Sequence, residues 1–249
     1  MAGLQPGFHK ETDDVYKMTS SPRGIALIIN NKEFLQTALS PRLGSELDVL
    51  RVASLFKRLD FDVQKKINLT RDQVLEQLEN VARKDHSAYD CFVLWLMSHG
   101  DDNDQIFGID AQPVLTREIR DIMCRSFKDK PKLFFFQACR GGEEVFVQDA
   151  PGRNNSSDSR ADYTDLLMAY SAVEGFASYR SATRGSVFVQ TVVEVFCERH
   201  GDCPIDLLLR EVKRQLKGKK CLVEDEEGIS KYVKPTFMFN NSLTKQLYF

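Results

Sequence analysis

Lys132-Leu-Phe-Phe-Phe-Gln-Ala-Cys139-Arg-Gly-Gly142 carries an unbroken apolar run that ends in a cysteine and a pair of glycines. Such a run, opened by Lys130-Pro131-Lys132, reads as a strand buried on both faces. The glycines turn the chain at the strand's carboxyl end. That is the end at which open α/β sheets bind their ligands. A thiol placed there is a candidate nucleophile rather than a packing residue.

Outward from this strand the pattern alternates. Residues 25–30, 61–67, 91–97 and 166–172 read as strands, and 235–239 as a last one. Between them, Gly44 to Leu59 has the spacing of a helix face in Leu47, Leu50, Leu55, Phe56 and Leu59. Thr70 reads as the N-cap of a second helix, with Val74, Leu75, Leu78 and Val81 on one face. Further helices are expected over 116–127, 187–198 and 205–216, and a short hairpin within 101–113. This order predicts an α/β fold with a largely parallel sheet covered on both faces. The first 21 residues show no periodicity and read as a disordered tail. Residues 141–163 are rich in Gly, Asp, Ser, Asn and Arg. So long a polar stretch inside a compact domain is expected to be functional, disordered or both.

The chain has four histidines. His9 lies in the tail, and His86 and His200 read as helix ends. His99, in Ser98-His99-Gly100, follows the apolar run Cys91–Met97 and is itself followed by glycine. Cys139 has the same placement, and in a parallel sheet both residues would emerge on one edge. Of the remaining cysteines, Cys91, Cys124, Cys197, Cys203 and Cys221 read as core or surface thiols, with no zinc-like spacing among them. An imidazole beside a thiol is a nucleophile with its base: the histidine takes the thiol proton and later returns one to a leaving amine.

The pentapeptide Gln137-Ala-Cys-Arg-Gly141, with a histidine upstream, resembles the signature of the caspases, cysteine endopeptidases that cut after aspartate. The likeness runs from about Val15 to Phe249. It includes Asn30-Asn31-Lys32, Asp85-His86-Ser87, Gly108 and the terminal Leu243-Thr-Lys-Gln-Leu-Tyr-Phe249. It implies an α/β/α sandwich around a six-stranded, mostly parallel sheet. It also implies backbone N–H groups of Gly100 and Cys139 as oxyanion donors, and a carbonyl near Ser40 that orients the imidazole. No cofactor, metal or catalytic carboxylate is implied.

Cleavage after aspartate calls for a cationic pocket, and arginine's planar fork suits a carboxylate better than lysine. The family pattern falls on Arg42, Gln137 and Arg180. Taken alone, either arginine reads more readily as a solvated surface charge. The resemblance also places Ser98, Ala177, Ser178 and Tyr179 along the substrate cleft, with Phe176 beside them. Tyr179 and Val187 stand where many family members carry tryptophan. Gly185-Ser-Val-Phe188 is similar to the inflammatory members, whose fourth pocket accepts large apolar side chains. Core packing is the alternative for Val187.

The expected organisation is a propeptide over 1–21 and a catalytic domain over 22–249. Within that domain a large-subunit part spans about 15–149, a linker 143–163, and a small-subunit part 163–249. An enzyme that cuts after aspartate could cut itself after Asp149 or Asp158, whose following residues are small, or release the tail at Asp13-Asp14. Asp162-Tyr163 suits such cleavage poorly. The alternative is that these acids only keep the linker soluble. The short tail without a recruitment domain resembles executioner members.

A net charge of −2 over 249 residues gives no electrostatic reason to expect nucleic acid or a membrane as partner. The longest apolar run, seven residues, is far below the roughly 20 a spanning helix needs. No signal peptide is visible, and six irregularly spaced cysteines suggest free thiols in the cytoplasm. Expected partners are protein substrates with an exposed aspartate-containing loop, a second copy of the large/small pair, upstream caspases and inhibitor proteins. A catalytically dead homologue that acts by binding is the competing reading, and a relative that cuts after arginine or lysine is a third. The first would lose Cys139, His99 or a pocket arginine, and the second needs acids where Arg42 and Arg180 stand.

Overall fold

The computed structural model describes residues 14–101, 103–140, 163–175, 177–224 and 230–249. The chain opens with β1 (Gly24–Asn30), α1 (Ser45–Arg58), β2 (Asp62–Ile67), α2 (Arg71–Ala82) and β3 (Cys91–Met97). A hairpin of β4 (Gln105–Phe107) and β5 (Pro113–Leu115) precedes α3 (Thr116–Ser126) and β6 (Lys132–Gln137). After the undescribed residues come β7 (Leu166–Tyr170), β8 (Arg180–Ser181), β9 (Gly185–Ser186), α4 (Val187–Arg199) and α5 (Ile205–Gly218). The ribbon β10 (Cys221–Glu224) and β11 (Ser230–Val233) leads to β12 (Met238–Asn241).

Six strands form one sheet in the order β12-β7-β6-β3-β1-β2. All neighbours are parallel except β12, which runs antiparallel to β7. Strand side chains alternate between faces, so each central strand serves two cores. Ala26, Ile28, Val93, Trp95 and Phe135 pack under α1, α4 and α5. Ile25, Leu27, Phe92, Leu94, Phe134 and Phe136 pack under α2 and α3. This two-sided burial is why the sequence runs are continuously apolar. Each such side chain contributes roughly 1.5–3 kcal/mol on leaving water. Trp95 stacks flat on Phe135, with ring centroids 4.5 Å apart, and locks the register of the two strands that lead to the site. The expected six-stranded α/β sandwich is therefore present.

Local signals explain the helix starts. Thr70 accepts from the Gln73 N–H and Gln73 reaches back to the Thr70 N–H at 3.0 Å, a reciprocal cap. Gly44 precedes α1 with φ 82°, and a Cβ there would lie 2.4 Å from the Ser181 carbonyl oxygen. Only glycine allows this close approach.

Three expectations need correction. Residues 14–21 belong to the packed domain rather than to a tail: Tyr16 and Met18 are buried, and Val15 bridges Gln246. That contact joins two ends distant in sequence, so no local period announces it. The last strand is 238–241 instead of 235–239. Pro235 has no N–H to give a ladder, Thr236 Oγ1 accepts from Val173 N, and Phe237 turns into the core against Phe188. His86 lies past the end of α2 and stacks on Phe127 at 3.8 Å. His200 does cap α4, as expected. Among the described residues no helix is long and apolar enough to cross a membrane.

Candidate active site

The site grows from the paired ends of β3 and β6. Met97 stands opposite Gln137 in the parallel ladder, so His99 and Cys139 are each two residues beyond a matched pair. The Ser98 N–H still donates to the Gln137 carbonyl at 3.2 Å. One residue on, a Cβ at Gly100 would sit 2.8 Å from the Cys139 carbonyl oxygen and 3.0 Å from Ala138 Cβ. The two strand-end loops are therefore in direct contact, and glycine at 100 is what lets them meet.

The His99 ring is held from the far side. Its Nε2 lies 2.8 Å from the Ser40 carbonyl oxygen, and the Phe34 ring tilts against it at 4.9 Å. A carbonyl only accepts, so in the neutral ring Nε2 carries the hydrogen and Nδ1 keeps the lone pair. Burial pulls the His99 pKa below its ordinary value, and Arg42 and Arg180 push the same way; the Ser40 contact opposes them. Cys139 is half-buried, and its Sγ accepts from the Ser178 N–H at 3.4 Å. Cys91, by contrast, is fully buried, and desolvation drives its thiol pKa up.

Arg42 is almost completely removed from water, at 1% exposure. Nη1 donates to Asn30 Oδ1 at 3.0 Å and to the Asn31 carbonyl at 2.8 Å, and Nη2 donates to Gln137 Oε1 at 2.5 Å. Gln137 in turn donates from Nε2 to Ser178 Oγ at 2.8 Å. Arg180 donates from Nε to the Leu43 carbonyl at 2.9 Å, beside Arg42 in sequence. Burial lowers both guanidinium pKa values, and for Arg42 the charge of Arg180 adds to the effect. Arg42, Gln137, Ser178 and Arg180 thus converge next to Cys139.

Tyr179, Arg184, Val187, Gln190, Lys220 and Leu222 help line a cavity of about 290 Å³ that continues from Arg180. Val187 both lines this cavity and packs on the core. Ala177 is half-buried near Ser178. Ser98 is buried, and its hydroxyl donates to the Phe107 carbonyl at 2.5 Å, bracing the His99 loop. Phe176, Asp149 and Asp158 lie outside the described residues. Asp14 is exposed, yet its carbonyl accepts from the Gln246 N–H at 2.8 Å.

Sequence reasoning missed two groups. Asp48, on α1, is fully buried and faces the arginines; an i, i+3 acid and arginine on a helix (Asp48 and Arg51) is too common a pattern to single out. Arg140, next to the thiol, donates to Asp104 from both Nε and Nη2 and lies over the Tyr170 ring at 4.2 Å. That ion pair ties the loop after His99 to the loop after Cys139.

The chain matches the family model described as Caspase domain over residues 23–248. It is similar to caspase-3 of Mesocricetus auratus, at 37% identity over 193 residues, covering 72% of this chain and 67% of that protein. It is also similar to caspase-6 of Gallus gallus, at 32% identity over 254 residues and 94% of this chain against 83% of the relative. Caspase-3 of Bos taurus matches at 32% identity, over 95% of this chain and 88% of its own length. With the sheet, the strand-end thiol and imidazole, and these matches in hand, the chain belongs to the caspase family of cysteine endopeptidases that cleave after aspartate.

Proposed function

We propose that Cys139 is the nucleophile and His99 its base in hydrolysis of peptide bonds after aspartate, within an apoptotic or related proteolytic cascade in the cytoplasm. The observation that carries this is the His99 Nε2 to Ser40 contact, which leaves Nδ1 as the basic nitrogen while Gly100 packs on Cys139. Nδ1 takes the thiol proton, and the thiolate attacks the carbonyl carbon next to the substrate aspartate. Negative charge then develops on the former carbonyl oxygen. The N–H groups of Gly100 and Cys139 stabilise it; one such donor is worth about 2.7–4 kcal/mol. Collapse expels the amine, which receives its proton from His99 and leaves a thioester on Cys139. Water, deprotonated by His99, attacks the thioester and frees the acid. The low pKa of His99 keeps it neutral and ready as a base near pH 7.

Arg42, Gln137 and Arg180 bind the aspartate side chain. An asparagine there leaves buried charge unmatched, and sites of this kind discriminate by about 10⁴-fold or more. The cavity lined by Tyr179, Val187 and Leu222 takes an apolar residue four positions from the cut. A library profile dominated by acids at that position overturns this preference.

Activation proceeds by cleavage after Asp149 or Asp158, then pairing of two copies along β12. Asp162 is disfavoured because the next residue is anchored: Tyr163 donates to Asp121 Oδ1 at 2.8 Å, and Arg120 covers its ring at 4.1 Å. Cleavage at Asp14 requires release of its carbonyl from Gln246, so Asp13 is the better place to remove the tail. Mass spectrometry of the purified enzyme checks these sites. Kinetics on a peptide library, with Cys139→Ala as control and an aspartyl ketone to label the thiol, tests the whole reading. Equal turnover of aspartate and asparagine peptides sinks it.

A further inference from the structure

Asp48 is a fully buried carboxylate that the catalytic scheme does not use. It sits in the first turn of α1 and accepts from the Ser186 N–H, at 2.9 Å through Oδ1 and 3.1 Å through Oδ2. Ser186 is the ladder partner of Arg180 in the β8–β9 hairpin. One turn along the helix, Arg51 donates to the Arg184 carbonyl at 2.7 Å and lies 3.8 Å from Asp48. The helix therefore grips the turn 184–186 at two points. Gly185 adopts φ 79° there, and a Cβ would come within 2.3 Å of Asp48 Oδ1. No larger residue fits while the carboxylate is in place.

We propose that Asp48 is a positioning residue of the aspartate pocket: it fixes the β8–β9 hairpin so that Arg180 stands beside Arg42, and it counters their charge. This rests on the reading of Arg42 and Arg180 as the groups that bind the substrate carboxylate. Asp48 opposes the depression of both guanidinium pKa values, and for Arg180 it is the leading favourable partner. Burial raises its own pKa to about 6, against the pull of Ser186, Arg42, Arg180 and Arg51, so it is ionised at neutral pH. Three guanidiniums, those of Arg42, Arg180 and Arg51, face one internal carboxylate, so the region keeps positive charge for an incoming acid. Without Asp48 the arginines repel each other, and the hairpin that carries one of them loses its anchor.

The test compares Asp48→Ala and Asp48→Asn with the unaltered enzyme on peptides ending in aspartate. Asp48→Ala is expected to raise KM by tenfold or more, about 10–100-fold for an ångström-scale displacement of Arg180, with kcat within about threefold. Asp48→Asn still offers an oxygen to the Ser186 N–H but no charge to the arginines, so it recovers part of that loss and falls between Asp48→Ala and the unaltered enzyme. Alkylation of Cys139 by iodoacetamide, which does not need the pocket, stays at the unaltered rate in both variants. An unchanged KM in Asp48→Ala overturns the proposal. So does a fall in alkylation rate that parallels the KM defect, since that marks general distortion. If the unaltered enzyme accepts asparagine peptides as readily as aspartate ones, the pocket reading fails first; discrimination by the unaltered enzyme with a normal Asp48→Ala variant removes this proposal alone.

Discussion

The thiol–imidazole half of the cleft comes from two neighbouring parallel strands, whereas the arginine half draws on four segments far apart in the chain. In the first half, strand register does the positioning. β3 and β6 are buried on both faces, and a one-residue slip would throw every side chain into the opposite core, among partners it does not fit. His99 and Cys139 inherit that precision because they lie two residues beyond it. In the second half the ladder places only Asn30 and Gln137, both opposite Met97, while the two arginines lie outside the sheet. Arg42 is set by Asn30, Asn31 and Gln137, and Arg180 by Leu43 and a two-residue ribbon. So short a ribbon cannot hold itself, and α1 supplies the missing rigidity. The difference teaches that chemistry and specificity should respond differently to substitution.

Cys139→Ala gives the largest effect and tests the first half. Turnover is expected to fall by roughly 10⁴-fold or more, with binding of an aspartyl peptide retained. A comparable residual rate would mean that another group attacks. Next, the two arginines should part company. Arg42→Ala leaves buried acceptors on Asn30, Asn31 and Gln137 without a donor, so it loses both substrate binding and about 2–5 kcal/mol of stability. Arg180→Ala, at a half-buried site, is expected to lose binding while its melting temperature barely moves. Calorimetry beside KM measurement checks this, and equal melting shifts would erase the contrast.

Gly185→Ala should act through the hairpin alone. Its positive φ and the clash with Asp48 cost about 1–3 kcal/mol locally. KM rises and kcat stays near its normal value; a kcat defect instead would show that the hairpin also serves the thiol. The smallest effect concerns pH. A histidine whose pKa is lowered stays unprotonated further into acid, so the acidic limb of kcat/KM has its midpoint below the usual 6.5 of histidine. A midpoint above that value would mean His99 is more solvated than its contacts with Phe34 and Ser40 imply.

Much of this was readable in the linear chain, for a physical reason. Strands buried on both faces must be continuously apolar, so 91–97 and 132–137 announce themselves, and a reactive residue followed by glycine at their ends is a strong local signal. The capped helix after Thr70 is equally local. Residues 14–21 and 235–239 were misread because their outcome depends on contacts with distant segments: Val15 on Gln246, and Phe237 on Phe188. The Ser98 bond to Phe107 was not legible either, because nothing local tells a hydroxyl that faces a cleft from one that braces a neighbouring loop.

The sequence by itself determined the sheet and set a thiol and an imidazole at the ends of two of its strands, because periodicity and motif are properties of neighbours along the chain; the arginines to watch came from the family resemblance. Only the tertiary structure decided that Gln137 bridges Arg42 to Ser178 and that Asp48 on α1 grips the turn beside Arg180. Those are encounters between segments separated by dozens of residues. Their geometry exists only once two cores have closed on either side of the sheet.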